Sequence, residues 1–328
     1  MSGLHRRTLL AAGLGVFAGC AADAPVGPPP PPGQPQRLRT LQGGFLAPVL
    51  AGGLPPPVRP GLPLPAGSGQ FVRWLAPAAL ALRGTDLLVA DAGSGRLWRA
   101  DAYGLHVTGI AGAPVGRQTA LALGPDLSAW VLDPFTRQVL RFGRDARLLQ
   151  TLRVGIAGGA PAAIALAEDG FTLLVADAVG AAWSEHRGVG GVVRQIAPEA
   201  EGGQRISGVD ALAAGRDGVV VLDRLRGVVH RVSREGRVLQ TLGRGQLRQP
   251  QAVALDRLGR IYVHEAQDAS IVRLAAGGEV QRWSAAELGV QQIGGIAADE
   301  MTLAVADALA GAVVLHSFAH ELPREAPP

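Results

Sequence analysis

Along most of the chain, small and branched apolar residues alternate in short runs. These are APAALAL (76–82), TALAL (119–123), APAAIAL (160–166), DALAA (210–214), QPQAVAL (249–255) and GGIAA (294–298). A period of two is the mark of a β-strand with two distinct faces. About ten residues after each run, a second apolar segment ends in an acid: LLVAD at Asp91, AWVLD at Asp133, LLVAD at Asp177, VVVLD at Asp223, IYVHE at Glu265 and LAVAD at Asp307. The acids follow one another at 42, 44, 46, 42 and 42 residues, which makes the chain a repeat of six units. In the fifth unit the pattern predicts strands over 252–255, 261–264, 270–274 and 279–283, with turns at Leu258-Gly259 and at 276–278. Four strands per unit at this period predict an all-β, six-bladed β-propeller over residues 76–318. No stretch carries a sustained helical stripe.

An open ring of blades would leave two unpaired strand edges. The sixth unit ends at its third strand, 312–318, and a polar tail, 319–328, follows. The fourth strands of earlier units read Leu148-Leu149-Gln150-Thr151-Leu152 and Val238-Leu239-Gln240-Thr241-Leu242-Gly243. Arg37-Leu38-Arg39-Thr40-Leu41-Gln42-Gly43 has the same form, so residues 37–43 are expected to complete the sixth blade, with 71–75 as the alternative closing strand. Residues 44–70, with seven prolines, read as an irregular connection. The region 37–75 is thus a closing strand and its connection.

Residues 1–20, MSGLHRRTLLAAGLGVFAGC, place Arg6 and Arg7 before an apolar run, Leu9 to Gly19. Eleven residues are too few to span a bilayer but suit a signal peptide, here 1–19. Phe17-Ala18-Gly19-Cys20 resembles the lipobox of bacterial lipoproteins, and the paired arginines resemble a twin-arginine export signal. The resemblance implies lipidation of Cys20 and a membrane partner for that lipid. Ala21 in the next position implies sorting to the periplasmic side of the outer membrane. Residues 20–36 form a linker with seven prolines, five of them in a row. As polyproline II, its sixteen residues after Cys20 reach roughly 50 Å.

Composition narrows the chemistry. All 31 basic residues are arginine, and there is neither lysine nor asparagine, which excludes a Schiff-base lysine and a phosphate-loop lysine. The single cysteine excludes internal disulfides. Without residues 1–19 the chain holds 29 basic and 27 acidic residues, too even a balance for a nucleic-acid reader. The densest charge is in the fourth unit, where Arg224, Arg226, Arg234 and Arg237 belong to a basic rim suited to an acidic protein or anionic envelope polymer.

The fifth unit, QPQAVALDRLGRIYVHEAQDASIVRLAAGGEV, resembles an NHL repeat, whose pattern runs Pro-x-Gly/Ala-Val-Ala-x-Asp, then Gly-x-Ile-Tyr-Val-x-Asp, then an Arg-Ile strand and a glycine. The fourth unit matches through Asp217-Gly218, Val221-Leu222-Asp223 and Glu235-Gly236. The first strands are expected to turn their alanines toward a crowded axis. The residues preceding them, Ala78, Thr119, Ala162, Asp210, Gln251 and Gly294, are expected to face the channel mouth. Thr119, Asp210 and Gln251 are therefore binding candidates. His264 and Glu265 join them because they break the repeat. Only Asp210 in that ring is ionisable, so no metal and no cofactor are expected. The recurring acids should bind turn backbone. Arg99, Arg141, Arg231 and Arg273, eight residues after them, should pair with them across strands. The reading is an exported, lipid-tethered binding or scaffold module. The alternative is a six-bladed propeller enzyme, a lactonase-like hydrolase or a lyase, working at the mouth.

Overall fold

In the computed structural model the described residues are 33–47, 70–101, 106–154, 159–187, 190–200 and 205–321. The signal peptide, Cys20 and most of both the linker and the tail lie outside them. The described chain is nearly all β, with one short 3₁₀ turn, Ala319–Glu321. Six sheets follow one another, and the four strands of each blade run outward from the first in antiparallel order. The fifth blade is representative: Pro250–Leu255, Ile261–Glu265, Ser270–Leu274 and Val280–Ser284. These agree with the four strands read from the sequence.

The ring is built from six inter-blade cores, and the alternation of the first strands explains them. Ala79 and Ala81 of blade 1 meet Leu121 and Leu123 of blade 2. Ala120 and Ala122 meet Ile164 and Leu166 of blade 3. Ala163 and Ala165 meet Leu212 of blade 4. Ala211 meets Val253 and Leu255 of blade 5, and Ala252 and Ala254 meet Ile293 and Ile296 of blade 6. Ala297 meets Leu80 and Leu82 of blade 1, which closes the circle. The alanines thus face the next blade rather than the axis, correcting the expectation above. A small face on each strand receives the large face of its neighbour, as close packing requires.

The closing strand is Gln36–Leu41, paired antiparallel with Ala312–Ser317 from Gln36 opposite Ser317 to Leu41 opposite Val313. The alternative, residues 71–75, does not close the ring. Phe71–Arg73 pairs with Gly43–Leu46, which lies parallel to His106–Ile110 and extends blade 1 to six strands. The connection is therefore not irregular at its ends. Gly43 makes the change of sheet: its φ is +129°, and a Cβ there would lie 1.8 Å from the Val72 carbonyl oxygen. Phe45 and Phe71 meet edge to face at 5.2 Å.

Candidate functional site

The two ends of the ring differ. At the upper end lie the turns between second and third strands and the loops entering each first strand. At the lower end lie the turns between first and second strands. The recurring acids bind the upper end together. Asp91 accepts hydrogen bonds from the Leu75, Ala76 and Gly93 N–H groups. Asp177 accepts from Ala160 and Val179, and Asp307 from Gln291 and Gln292. Whereas the half-buried Asp133 binds its own turn through Phe135 and Thr136, each of these three is thus a cap joining its own turn to the incoming loop.

Glu265, a candidate from the sequence, does the same with a longer side chain. Arg248 N–H and Gln249 N–H each donate to it at 2.7 Å, and it is 1% exposed. Asp223 takes N–H groups of Ser207 at 2.9 Å and Arg226 at 3.0 Å, and His230 Nε2 stands at 3.9 Å. Burial raises the Asp223 pKa, but the nearby His230 and the backbone hydrogen bonds outweigh it and hold the carboxyl below its ordinary value.

The expected cross-strand pairs of these acids with arginine do not form, because the arginines sit at the strands' lower halves. Arg99 donates to the Leu127 carbonyl of the next blade at 2.6 Å and lies 3.9 Å from Asp86. Arg141 pairs with Asp126 at 2.6 Å, Arg231 donates to the Gly259 carbonyl and Arg273 pairs with Glu321 at 2.9 Å. Arg99 and Arg231 fasten blades to one another, Arg141 holds a turn of its own blade, and Arg273 fastens blade 5 to the C-terminal turn.

The mouth residues coincide with a repeated irregularity. Register shifts fall at Ala78, Ala162, Gln251 and Gly294, each left between two paired residues. A bulge of this kind re-aims a side chain out of the ladder. Gln251 is exposed. Asp210 accepts the Arg224 N–H at 2.9 Å. Thr119 turns back on its own loop, its hydroxyl bonding Gly116. His264 shares a strand face with Tyr262, toward blade 6, and is 8% exposed. Burial lowers its pKa, with Glu265 opposing, so the imidazole is neutral at pH 7.

The four rim arginines do not form one patch. Arg224 and Arg226 lie in an upper turn. Arg234 and Arg237 lie in a lower one, where Arg234 donates to the Arg216 carbonyl at 3.1 Å. The sequence reading missed two recesses. A polar one of about 320 Å³ sits at the upper end of blade 5, between Gln246, Arg248, Gln267, Asp268 and Arg282. A broad one of about 970 Å³ opens at the lower end, where Arg83, Glu168, Arg216, Asp217, Arg257 and Asp299 meet. Among the described residues, no three His, Cys, Asp or Glu side chains come together as metal ligands.

No protein-family model matches the sequence, and comparison with curated proteins gives no match. Solved structures do match. Virginiamycin B lyase from Staphylococcus aureus aligns at 12% identity over 74% of this chain and 95% of its own, with a TM-score of 0.55. A catalytically inactive histidine-to-alanine form of that lyase with quinupristin aligns over 87% and 98%, at 12% identity and a TM-score of 0.52. The β-propeller domain of Myceliophteria thermophila Cps50 (Swd1) aligns at 11% identity over 76% and 98%, TM-score 0.56. The chain is a six-bladed β-propeller. At these identities the likeness is one of fold, shared by a lyase and a propeller domain of another protein.

Proposed function

We propose that this chain is an NHL-type propeller of the bacterial envelope, tethered through a lipid on Cys20, that works as a binding module for another envelope protein. One observation carries the preference for binding over catalysis. Five of the six recurring carboxylates, Glu265 included, are buried and spent on loop N–H groups, so they serve rigidity. A rigid ring with loops fixed at both ends suits recognition. The tether reading rests on the lipobox-like Phe17-Ala18-Gly19-Cys20 and the proline-rich spacer. Metabolic labelling with palmitate tests it. Label should enter the full-length chain and be lost in Cys20→Ser, which should leave the membrane fraction. A Cys20→Ser chain that stays with the membrane overturns the tether.

A second reading is an elimination or hydrolysis at the upper mouth. The lyase fold likeness and His264, slightly accessible at the blade 5–6 junction, favour it. Quinupristin supplies the probe. Turnover by the wild type and its loss in His264→Ala would establish it, and an unreacted probe over hours would remove it.

A further inference from the structure

The residue two places after each recurring acid stands at the tip of an upper turn. In four blades it is apolar and exposed: Phe135 at 95%, Leu225 at 85%, Val179 at 72% and Leu309 at 66%. Blade 1 has Gly93 in that position, and a Cβ on Gly93 would lie 2.6 Å from the Leu75 Cβ. Leu75, itself exposed, therefore covers the place that the glycine leaves bare. Blade 5 alone is polar there, with Gln267. Single exposed apolar residues are ordinary on a protein surface, but four at equivalent positions of a six-fold ring, with Leu75 beside a fifth, make a crown.

Most of the exposed charge around the crown is positive. Arg137, Arg224, Arg226 and Arg248 are exposed in the same turns and loops. The acids of this end are mostly turned inward as caps. Two exposed acids there have partners: Asp268 pairs with Arg282 at 2.6 Å, and Glu287 accepts the Ser284 hydroxyl at 2.7 Å. At the notch in the crown lies the polar recess, with the Arg248 guanidinium at its wall and, among the described residues, without a partner.

The chain enters the ring from the opposite end. Gln36 begins the closing strand beside Ser317, and Gly33 N–H donates to Glu321, which also holds Arg260 near the lower turns. On the tether reading, the described chain begins at Gly33 on the lower end, opposite the crown.

We infer that the upper crown is the docking surface for a protein whose apolar patch is bordered by carboxylates, one of which enters the recess beside Arg248. The inference rests on the binding reading above and adds the face and the partner's chemistry. Cationic apolar tips on a rigid frame are complementary to such a patch, and the arginines fix its register.

The test places a photo-reactive benzoylphenylalanine at Phe135, Leu225 or Leu309 of the full-length chain in the cells that make it. Phe171 and Leu258, exposed in lower turns, serve as controls. Protein adducts should form from the three crown positions and not from the controls. The cross-linked protein, purified, should bind the wild-type chain, and Arg224→Glu with Arg248→Glu should weaken it at least tenfold with Tm unchanged. Adducts from the controls alone overturn the choice of face but keep the binding reading. Lipid adducts from the crown, or binding indifferent to the two substitutions, overturn the inference. Absence of protein adducts at every position overturns the binding reading itself.

Discussion

A carboxylate buried at a strand end keeps its charge only where N–H groups face it. Asp223 meets that condition through Ser207 and Arg226, and it is fully buried. Asp223→Ala would leave those N–H groups without an acceptor and detach a loop from its turn. We expect a loss of about 3 kcal/mol in urea unfolding. Asp223→Asn, which keeps one acceptor oxygen, should lose less. Because the Asp223 pKa is depressed in the folded state, its contribution is present above the ordinary carboxyl range and fades as pH falls through the folded value. An unchanged midpoint in the alanine variant would show that the cap is ornamental. The sequence made these acids visible through their spacing, and their role as caps followed from strand-end chemistry. The partners of Arg99 and Arg231 were not visible, since each reaches across to the neighbouring blade, a contact set by ring geometry and not by local spacing.

At the scale of elements, closure by Gln36–Leu41 concentrates two further tests. Glu321 receives the Gly33 N–H and pairs with Arg260 and Arg273, so one carboxylate ties linker, blade 5 and the C-terminal turn. Burial raises its pKa, but Arg273, Gly33 and Arg260 together hold it below the usual value. Glu321→Gln should lower stability by about 2 kcal/mol and increase protease cutting near residue 36. Beneath the closing strand, His316 is opposite Arg37. Burial first and Arg37 second hold its pKa down to about 4, with the Leu288 backbone opposing. A histidine depressed in the folded state destabilises the fold as pH falls from its ordinary 6.5 towards that value, by roughly 3 kcal/mol once both states are protonated. His316→Leu should therefore lose less stability than the wild type between pH 6.5 and 4, measured as Tm against pH. Equal slopes would show that His316 stays neutral throughout. The closing strand was legible because it repeats the form of other fourth strands. The pairing of Gly43–Leu46 with Phe71–Arg73 was not, because its register depends on a parallel contact with His106, some sixty residues away.

For the whole molecule, the number of blades rests on how small the last junction is. Blade 6 approaches blade 1 more closely than an alanine would allow: a Cβ on Gly295 would lie 2.5 Å from the Ala78 carbonyl oxygen, and one on Gly294 2.3 Å from that of Pro77. Both obstacles are backbone, which cannot rotate away as a side chain does. Ala297 meets Leu80 and Leu82 here as alanines do at the other junctions, and the two glycines add a closer backbone approach. Gly295→Val should then push Ile293–Asp299 from Pro77–Arg83 and disturb the Ala297–Leu80 core, costing about 3 kcal/mol. The equivalent change at Ala211→Val, at a half-buried position of blade 4, should cost markedly less. Hydrogen exchange would locate the damage. Protection should fall in the closing strand and blade 6 before it falls in blades 3 and 4. Uniform loss across the ring would mean that the six cores act as one cooperative unit and that no single junction sets the closure.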